Sequence, residues 1–274
     1  MRHNTCVNLT RSARGLCRPL DRLDSQMLST VGFISAPAWF DPAASEFPTI
    51  VEERVQTQQA PLLLPDFNYR LERIATVQDE LNLCAQSLKA MGCSLVAQVG
   101  SPFAWACASS ESEARSRSEI MANSANIPSI MTGLAIVDGL RSHDVKKIAL
   151  NCTYYERDWR DSFANFLNIC GFDTIHASTL SDQGLIVADS KMADYGWAMT
   201  HELTSKSILA VAEASPSAEA IVVTGAGTRT LKILSDLESE IKRPIVAADT
   251  VLYWAVAKNL GLKLKPEMGS LTDI

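Results

Sequence analysis

Residues 220–230 read AIVVTGAGTRT, a short apolar run that ends in small residues and leads into a helical pattern. Isoleucine and valine favour a buried strand, and the glycines that follow mark the turn where a strand gives way to a helix. Similar runs, each broken by Gly, Ser, Pro or Thr, occupy residues 31–35, 94–99, 127–130, 147–151 and 244–247. We therefore predict a series of short, buried strands.

Helical patterns lie between these runs. In residues 74–91 the apolar side chains recur at three- and four-residue spacing, and Gly92 ends the pattern. The same criterion predicts helices over residues 135–140, 160–170, 204–214, 230–241 and 249–260. Strands that alternate with helices indicate βαβ units, whose parallel sheets are covered by helices on both faces.

The order of these elements occurs twice in the chain. A strand that ends at Ser35 is followed by one that ends at Gly100, and a strand that ends at Asn151 is followed by one that ends at Gly225. We predict an α/β fold of two similar α/β/α halves related by pseudo-two-fold symmetry. The first half comprises residues 29–133 plus 247–274, and the second comprises residues 134–246. Residues 1–28 are expected to form a disordered tail, with an organelle transit segment as the alternative.

Composition excludes several classes of protein. The chain of 274 residues has no apolar run near the length that spans a bilayer, and its net charge of -6 argues against a nucleic-acid surface. Seven cysteines without a CxxC pair match neither a disulfide framework nor a zinc motif, and four scattered histidines suggest no metal site. We expect a cytoplasmic protein that binds no metal, no membrane and no nucleic acid. Assembly into a homo-oligomer is possible on the sequence.

The loops after the strands are the predicted site, because parallel sheets bind ligands beyond the carboxyl ends of their strands. Ser101 offers a hydroxyl in a Gly-Ser-Pro turn, and Tyr154 offers a phenol just after a strand. The small residues 225–228 offer backbone N–H groups at the start of a helix. These groups suit a carboxylate or an enolate oxyanion. Tight strand-to-helix turns are the alternative explanation of the small residues.

In five segments, residues 31–262 resemble the aspartate/glutamate racemase superfamily, in particular its branch of maleate cis-trans isomerases and arylmalonate decarboxylases. Tyr154 falls where that branch has an active-site tyrosine. The segments that carry the resemblance are 35–42 (SAPAWFDP), 127–141, 145–150, 225–230 (GAGTRT) and 249–254.

The resemblance implies a cofactor-independent enzyme with its site in the cleft between the two halves. Racemases and isomerases of the superfamily use two cysteines, and the decarboxylase keeps only the second, as a proton donor. In this chain Gly100 and Gly225 stand at those two positions. A glycine cannot transfer a proton, so a mechanism based on thiols at these positions is not expected. Pro102 also replaces a second hydroxyl of the decarboxylases.

Eleven residues follow as site candidates. The catalytic candidates are Tyr154, Ser101 and His201, and the substrate-binding candidates are Gly100, Pro102, Pro37, Gly225, Ala226, Gly227, Thr228 and Cys152. His201 titrates in the range that suits acid–base chemistry, although a solvated histidine at a helix start is the alternative. For Cys152 the alternative interpretation is a structural thiol that is buried at the end of a strand. Aromatic residues near the loops are candidates for lining an apolar pocket or for packing: Trp39, Phe40, Phe103, Trp105 and Trp197.

Three functions remain open on the sequence. A decarboxylase or another lyase acting on a malonate- or maleate-like carboxylate fits best, because breaking a carbon–carbon bond heterolytically needs charge stabilisation more than a strong base. A hydrolase or hydratase could use water in the same anion pocket. A homologue that binds a small carboxylate without turning it over is the third alternative.

Overall fold

The structure, a computed structural model, describes residues 28–37, 39, 41–187 and 199–274. Its strands form two parallel sheets of four. The first sheet has the order β2-β1-β3-β4 and the second has the order β6-β5-β7-β8, so the same arrangement occurs twice. The strands are β1 Thr30–Ser35, β2 Gln56–Pro61, β3 Leu95–Gln98, β4 Ser129–Met131, β5 Lys147–Asn151, β6 Asp173–Ser178, β7 Ala220–Val223 and β8 Ile245–Ala247. The predicted fold of two similar parallel α/β halves is confirmed.

Two strands, β2 and β6, were not expected from the sequence. Both lie at the edge of a sheet, with a partner on one side only. Residues of β2 read QTQQAP, and those of β6 read DTIHAS. An edge strand is covered less than a central strand and tolerates polar side chains, so a search for apolar runs misses it.

Ten helices cover the sheets within the described residues. They are α1 Ala43–Ile50, α2 Leu71–Ile74, α3 Gln78–Ala90, α4 Pro102–Trp105, α5 Glu111–Ala125, α6 Thr132–Ser142, α7 Arg157–Ile169, α8 His201–Ala214, α9 Leu234–Ile241 and α10 Ala248–Leu260. A 3₁₀ segment, Pro266–Asp273, follows α10. None of the described helices is long and apolar enough to cross a membrane.

The helix predictions were wrong in two respects. The helix expected over residues 74–91 begins only at Gln78, as α3, because Ile74 is the last residue of the separate short helix α2 and the chain turns between the two. Helices α1, α4 and α5 had no counterpart in the sequence pattern. The face that α5 buries is narrow, with only Ala114, Met121 and Ala125 buried, so its apolar periodicity is weak.

The two halves share one interior. A continuous cluster of buried apolar side chains extends from Phe33 in the first sheet to Val222 in the second. Helix α10 follows β8 of the second sheet, yet it packs against α6 and against β3 and β4 of the first sheet. We propose the boundaries 133/134 and 246/247 for the halves; the first lies just after β4 ends at Met131, and the second lies within the last residues of β8, which ends at Ala247.

Candidate active site

Three buried hydroxyl groups join the halves at the carboxyl ends of the strands. The Ser101 Oγ, just before α4, lies 3.1 Å from the Tyr155 hydroxyl oxygen and 2.9 Å from the Thr224 Oγ1. The Thr224 hydroxyl in turn donates to the Tyr155 oxygen at 3.1 Å. We call Ser101, Tyr155 and Thr224 the hydroxyl ring. It connects the loop after β3 to the loops after β5 and β7, as expected where parallel strand ends face each other.

Tyr154 contacts the glycine loop of the second half. Its hydroxyl oxygen accepts a hydrogen bond from the Gly227 N–H at 2.9 Å. Among the hydrogen bonds between described residues, none has the Tyr154 hydroxyl as donor. Burial raises the pKa of Tyr154 well above its ordinary value, because the phenolate would be poorly solvated. Tyr154 is therefore a neutral phenol whose proton is available to a ligand.

A cavity of 40 Å³ opens beside these hydroxyls. That volume holds about three water molecules, so a ligand must be small or must displace side chains. The apolar cavity, as we call it, contains five predicted site residues: Pro37, Gly100, Pro102, Tyr154 and Ala226. Its other lining residues are Ala36, Phe67, Tyr69, Ile74, Phe103, Tyr155 and Trp159. The loops from both halves thus meet at one apolar, aromatic-rich cavity.

Both glycines at the expected cysteine positions adopt backbone angles that disfavour side chains. The φ angle is +102° at Gly100 and +112° at Gly225. A Cβ atom at residue 225 would lie 2.8 Å from both the Thr153 Oγ1 and the Tyr154 Cε1. A cysteine at residue 225 would therefore require Tyr154 or its neighbours to move.

Backbone amides from both halves are available near the cavity. In the described part of the chain, no hydrogen bond uses the N–H groups of Gly100, Ser101 or Ala226. The Gly227 N–H is engaged by Tyr154, and the Thr228 N–H donates to the Gly225 carbonyl at 3.0 Å. Within residues 225–228 the N–H groups of Gly227 and Thr228 are thus engaged, whereas those of Gly225 and Ala226 have no acceptor among the described residues.

A second cavity, of 10 Å³, adjoins the first through Gly100 and Ala226, which line both. Its other lining residues include Asp41, Arg229, Asp249 and Tyr253, and we call it the charged cavity. Sequence reasoning did not assign a role to these side chains, although all four lie in the segments that resemble the racemase superfamily.

Arg229 is the centre of this charged group. Its guanidinium donates to Glu46 and, at 2.6 Å, to the Tyr253 hydroxyl. It lies 3.6 Å from the Asp41 carboxylate and 3.9 Å from the Asp249 carboxylate. One cation of the second half is therefore surrounded by three carboxylates, which come from the loop after β1, from α1 and from α10.

Comparison with known families identifies the chain. The sequence profile of the arylmalonate decarboxylase family matches residues 66–271. The chain belongs to the arylmalonate decarboxylase family. This membership confirms the branch expected from the segments around Tyr154 and Gly225. A comparison with curated proteins finds no match.

Solved structures agree on the fold. A liganded double mutant of arylmalonate decarboxylase superposes with a TM-score of 0.74 at 20% identity, covering 89% of this chain and 99% of that one. Maleate isomerase Iso from Pseudomonas putida S16 has a TM-score of 0.74 at 17% identity, over 89% and 98% of the two chains. A mutant maleate cis-trans isomerase from Nocardia farcinica, with a bound succinylcysteine intermediate, has a TM-score of 0.73 at 17% identity over the same shares. At these identities the similarity establishes the fold.

Six predicted site residues of this family member line neither cavity: Ser101, Cys152, His201, Gly225, Gly227 and Thr228. His201 is exposed at the first residue of α8 and lines neither cavity. Cys152 is fully buried, and burial raises the pKa of its thiol well above the usual value. None of the cysteines in the described ranges lines the apolar or the charged cavity. The roles expected for His201 and Cys152 stay predictions.

The remaining candidates differ in whether they line the apolar cavity. The Thr228 hydroxyl donates to the Thr153 hydroxyl at 3.2 Å, which supports the loop rather than the cavity wall. Phe103 lines the apolar cavity, whereas Trp105 stacks on Phe163 at 5.0 Å. The Trp39 indole donates to Asp41 at 3.1 Å. Phe40 and Trp197 lie outside the described residues.

Sequence reasoning missed Tyr155 and Thr224. Each directly follows a residue or a strand that the sequence had singled out: Tyr155 follows Tyr154, and Thr224 follows β7. The available signal was that two consecutive residues after a strand can both face a cleft when the chain turns just before them. Thr153 has a φ angle of 44°, and this turn brings both tyrosines to the cavity.

Proposed function

We propose that the protein is a cofactor-independent enzyme that acts on a small malonate- or maleate-like carboxylate. The reaction is decarboxylation, or another lyase step, through an intermediate stabilised as an oxyanion without a catalytic cysteine. Membership of the arylmalonate decarboxylase family supports this class of substrate. The arrangement of the site supports a lyase step without a catalytic thiol.

One observation carries the proposal: donors from both halves surround an apolar cavity. Tyr154 supplies a neutral phenol, and Gly100 and Ala226 supply N–H groups that have no acceptor among described residues. The hydroxyl ring lies directly behind them through Tyr155. Such preorganised donors stabilise negative charge that develops on a ligand oxygen, and removing one from an oxyanion hole typically costs about 3–4 kcal/mol.

The apolar lining of the cavity also favours decarboxylation, because it destabilises the substrate carboxylate. A substrate carboxylate placed against Phe103 and Trp159 loses hydration that the wall cannot replace. Loss of carbon dioxide removes that charge from the apolar region and moves the electron pair to the remaining carboxyl group. There it forms an enediolate, whose oxygens receive the hydrogen bonds of Tyr154 and Ala226. The cavity therefore favours the transition state over the bound substrate.

The position of the cysteines disfavours an isomerase mechanism. The Nocardia farcinica isomerase structure contains a succinylcysteine, which requires a thiol at the substrate. In the described residues of this chain no cysteine lines the cavity, and a side chain at Gly225 would overlap Tyr154. A mechanism in which cysteine adds to a double bond therefore lacks its nucleophile, whereas oxyanion stabilisation retains its donors.

The test is turnover of a panel of malonates, maleate and amino diacids by the wild type and by Tyr154→Phe. We expect carbon dioxide release from at least one malonate and a loss of turnover by roughly 10²–10³-fold in the variant. Wild-type-like activity of a folded Tyr154→Phe protein would contradict the role of the phenol.

Product analysis separates the alternatives. Decarboxylation in D₂O introduces deuterium at the carbon that lost its carboxyl group, whereas hydration in H₂¹⁸O introduces a labelled hydroxyl. A ligand that raises the melting temperature without any turnover would indicate a binding protein and would refute the lyase proposal.

A further inference from the structure

Asp41 lines the charged cavity, which shares Gly100 and Ala226 with the apolar cavity. Its side chain is fully buried. Its Oδ1 accepts the Ala43 N–H at 2.8 Å, and its Oδ2 accepts the Trp39 indole N–H at 3.1 Å. An ionised Asp41 would raise the pKa of the Tyr154 phenol, so the carboxyl group lies within electrostatic reach of the proposed catalytic tyrosine.

The charged groups around Asp41 do not balance. Three carboxylates, of Asp41, Glu46 and Asp249, surround the single guanidinium of Arg229. If all four were ionised, the net charge of this largely buried group would be -2. Charges of one sign in a poorly solvated site favour uptake of a proton by one of the acids.

Asp41 is the acid best placed to hold that proton. Glu46 contacts the Arg229 guanidinium directly and accepts the Tyr253 hydroxyl at 2.8 Å. Asp249 accepts the Thr230 N–H at 2.7 Å and the Thr230 hydroxyl at 2.6 Å.

The hydrogen bonds that Asp41 accepts, at 2.8 and 3.1 Å, are longer than the 2.6 and 2.7 Å bonds of Asp249. Asp41 also lies farther from Arg229 than Glu46 does. The distance from Asp41 to Arg229 is 3.6 Å, and the Asp41 carboxyl group is the most buried of the three. Burial raises the pKa of Asp41, and this effect exceeds the opposing effects of Arg229 and of the two N–H donors.

We propose that Asp41 is the proton donor of the reaction, the role that a thiol cannot fill here. The inference rests on the proposed function. After carbon dioxide leaves, the enediolate carbon takes the proton of the Asp41 carboxyl group; a C–H bond forms and an O–H bond breaks. Asp41 is left as a carboxylate beside Arg229, which offsets its charge. Solvent then returns a proton, and the charged cavity has room for about one water molecule to relay it.

The decisive experiment compares Asp41→Asn with Glu46→Gln. Both variants remove one carboxylate from the same group around Arg229, but Glu46 lines neither cavity. The substrate is a prochiral disubstituted malonate that the wild type turns over, and the reaction is run in D₂O. We expect an enantiomerically enriched product from the wild type and from Glu46→Gln, because the donor protonates one face. Asp41→Asn should lose roughly 10²–10⁴-fold in kcat and give racemic product protonated by water.

Two results would overturn the inference while leaving the proposed function intact. One is a folded Asp41→Asn protein whose product keeps the wild-type enantiomeric excess. The other is a wild-type kcat that does not decline at alkaline pH as Asp41 loses its proton. Failure of the wild type to release carbon dioxide from any malonate would instead contradict the proposed function.

An infrared measurement on the wild type tests whether Asp41 is protonated. It requires neither turnover nor a folded variant. Infrared difference spectra of the wild type across neutral pH should show the carbonyl band of a buried, protonated carboxylic acid. The band should move in Asp41→Glu and persist in Glu46→Gln. If the wild type lacks the band at neutral pH, Asp41 is ionised and the inference is wrong.

Discussion

Replacing Tyr155 with phenylalanine removes one oxygen atom from the hydroxyl ring. That oxygen contacts both the Ser101 Oγ and the Thr224 Oγ1 at 3.1 Å. The other two hydroxyls keep their mutual contact at 2.9 Å, so the ring loses two of its three hydrogen bonds. The space left is about the size of one oxygen atom and is closed by the same two side chains.

The expected magnitude follows from the two lost bonds. A neutral intramolecular hydrogen bond contributes about 0.5–1.5 kcal/mol net, so the free energy of unfolding should fall by about 2 kcal/mol. For a chain of this size, that loss corresponds to a fall of roughly 4–8 °C in melting temperature. Because the ring joins the halves, the loss should also appear as faster amide exchange in the loops around Ser101 and Thr224.

The assay is thermal unfolding followed by circular dichroism, with Tyr69→Phe as the matched control. Tyr69 lines the same cavity, but its hydroxyl forms no hydrogen bond with a described residue. Phenylalanine at residue 69 should therefore change the melting temperature by less than the same substitution at residue 155. Equal effects of the two substitutions would refute the hydroxyl ring as a stabilising contact.

A double-mutant cycle identifies the contact directly. If Tyr155 and Ser101 interact as the structure shows, Tyr155→Phe and Ser101→Ala should be non-additive by about 0.5–3 kcal/mol in unfolding free energy. Additive losses would mean that each side chain contributes independently of the other.

Three further predictions concern stability. Gly225→Ala should lower the melting temperature and shift the fluorescence of Tyr154, because the new Cβ would lie 2.8 Å from its ring; an unchanged melting curve would contradict the strained turn. Arg229→Met should cost about 3–5 kcal/mol in urea unfolding at neutral pH, because buried carboxylates lose their cation, and less at acid pH, where they are protonated. Arginine side chains lower the pKa of Glu111 to about 2, so Glu111→Gln should cost up to about 3 kcal/mol at neutral pH. That cost should disappear as the pH falls from about 4 towards 2, as the native carboxylate takes up its proton; the exposed Glu119→Gln control should show no such dependence.

Much of the fold could be predicted from the sequence because its central strands are nearly pure apolar runs. Residues 147–151 and 220–224 were predicted as strands, and the structure has β5 and β7 at Lys147–Asn151 and Ala220–Val223. A strand buried on both faces needs apolar side chains at every position, so local composition reveals it. The edge strands β2 and β6 are only partly covered, and the local signal is correspondingly weak.

Part of the site was also present in the local sequence. Gly100, Tyr154 and Ala226 were predicted from strand-end positions, and all three line the apolar cavity. Parallel topology alone places such loops at one end of a sheet, whatever side chains they carry. The presence of glycine at residues 100 and 225 also has a local explanation, because a turn with a positive φ angle favours glycine.

Only the tertiary structure decided which side chains meet. The Ser101 and Thr224 hydroxyls are 123 residues apart in the chain, and the Arg229 and Glu46 side chains are 183 apart. Contacts of this kind depend on how the two sheets face each other, which no local pattern of hydrophobicity encodes. Sequence alone thus determined two α/β halves, which the structure confirms, and predicted a cleft between them as the site, which stays a prediction. The packing of the halves determined that Tyr155 and Asp41 belong to that cleft, because each becomes a neighbour of the site only when the halves close on each other.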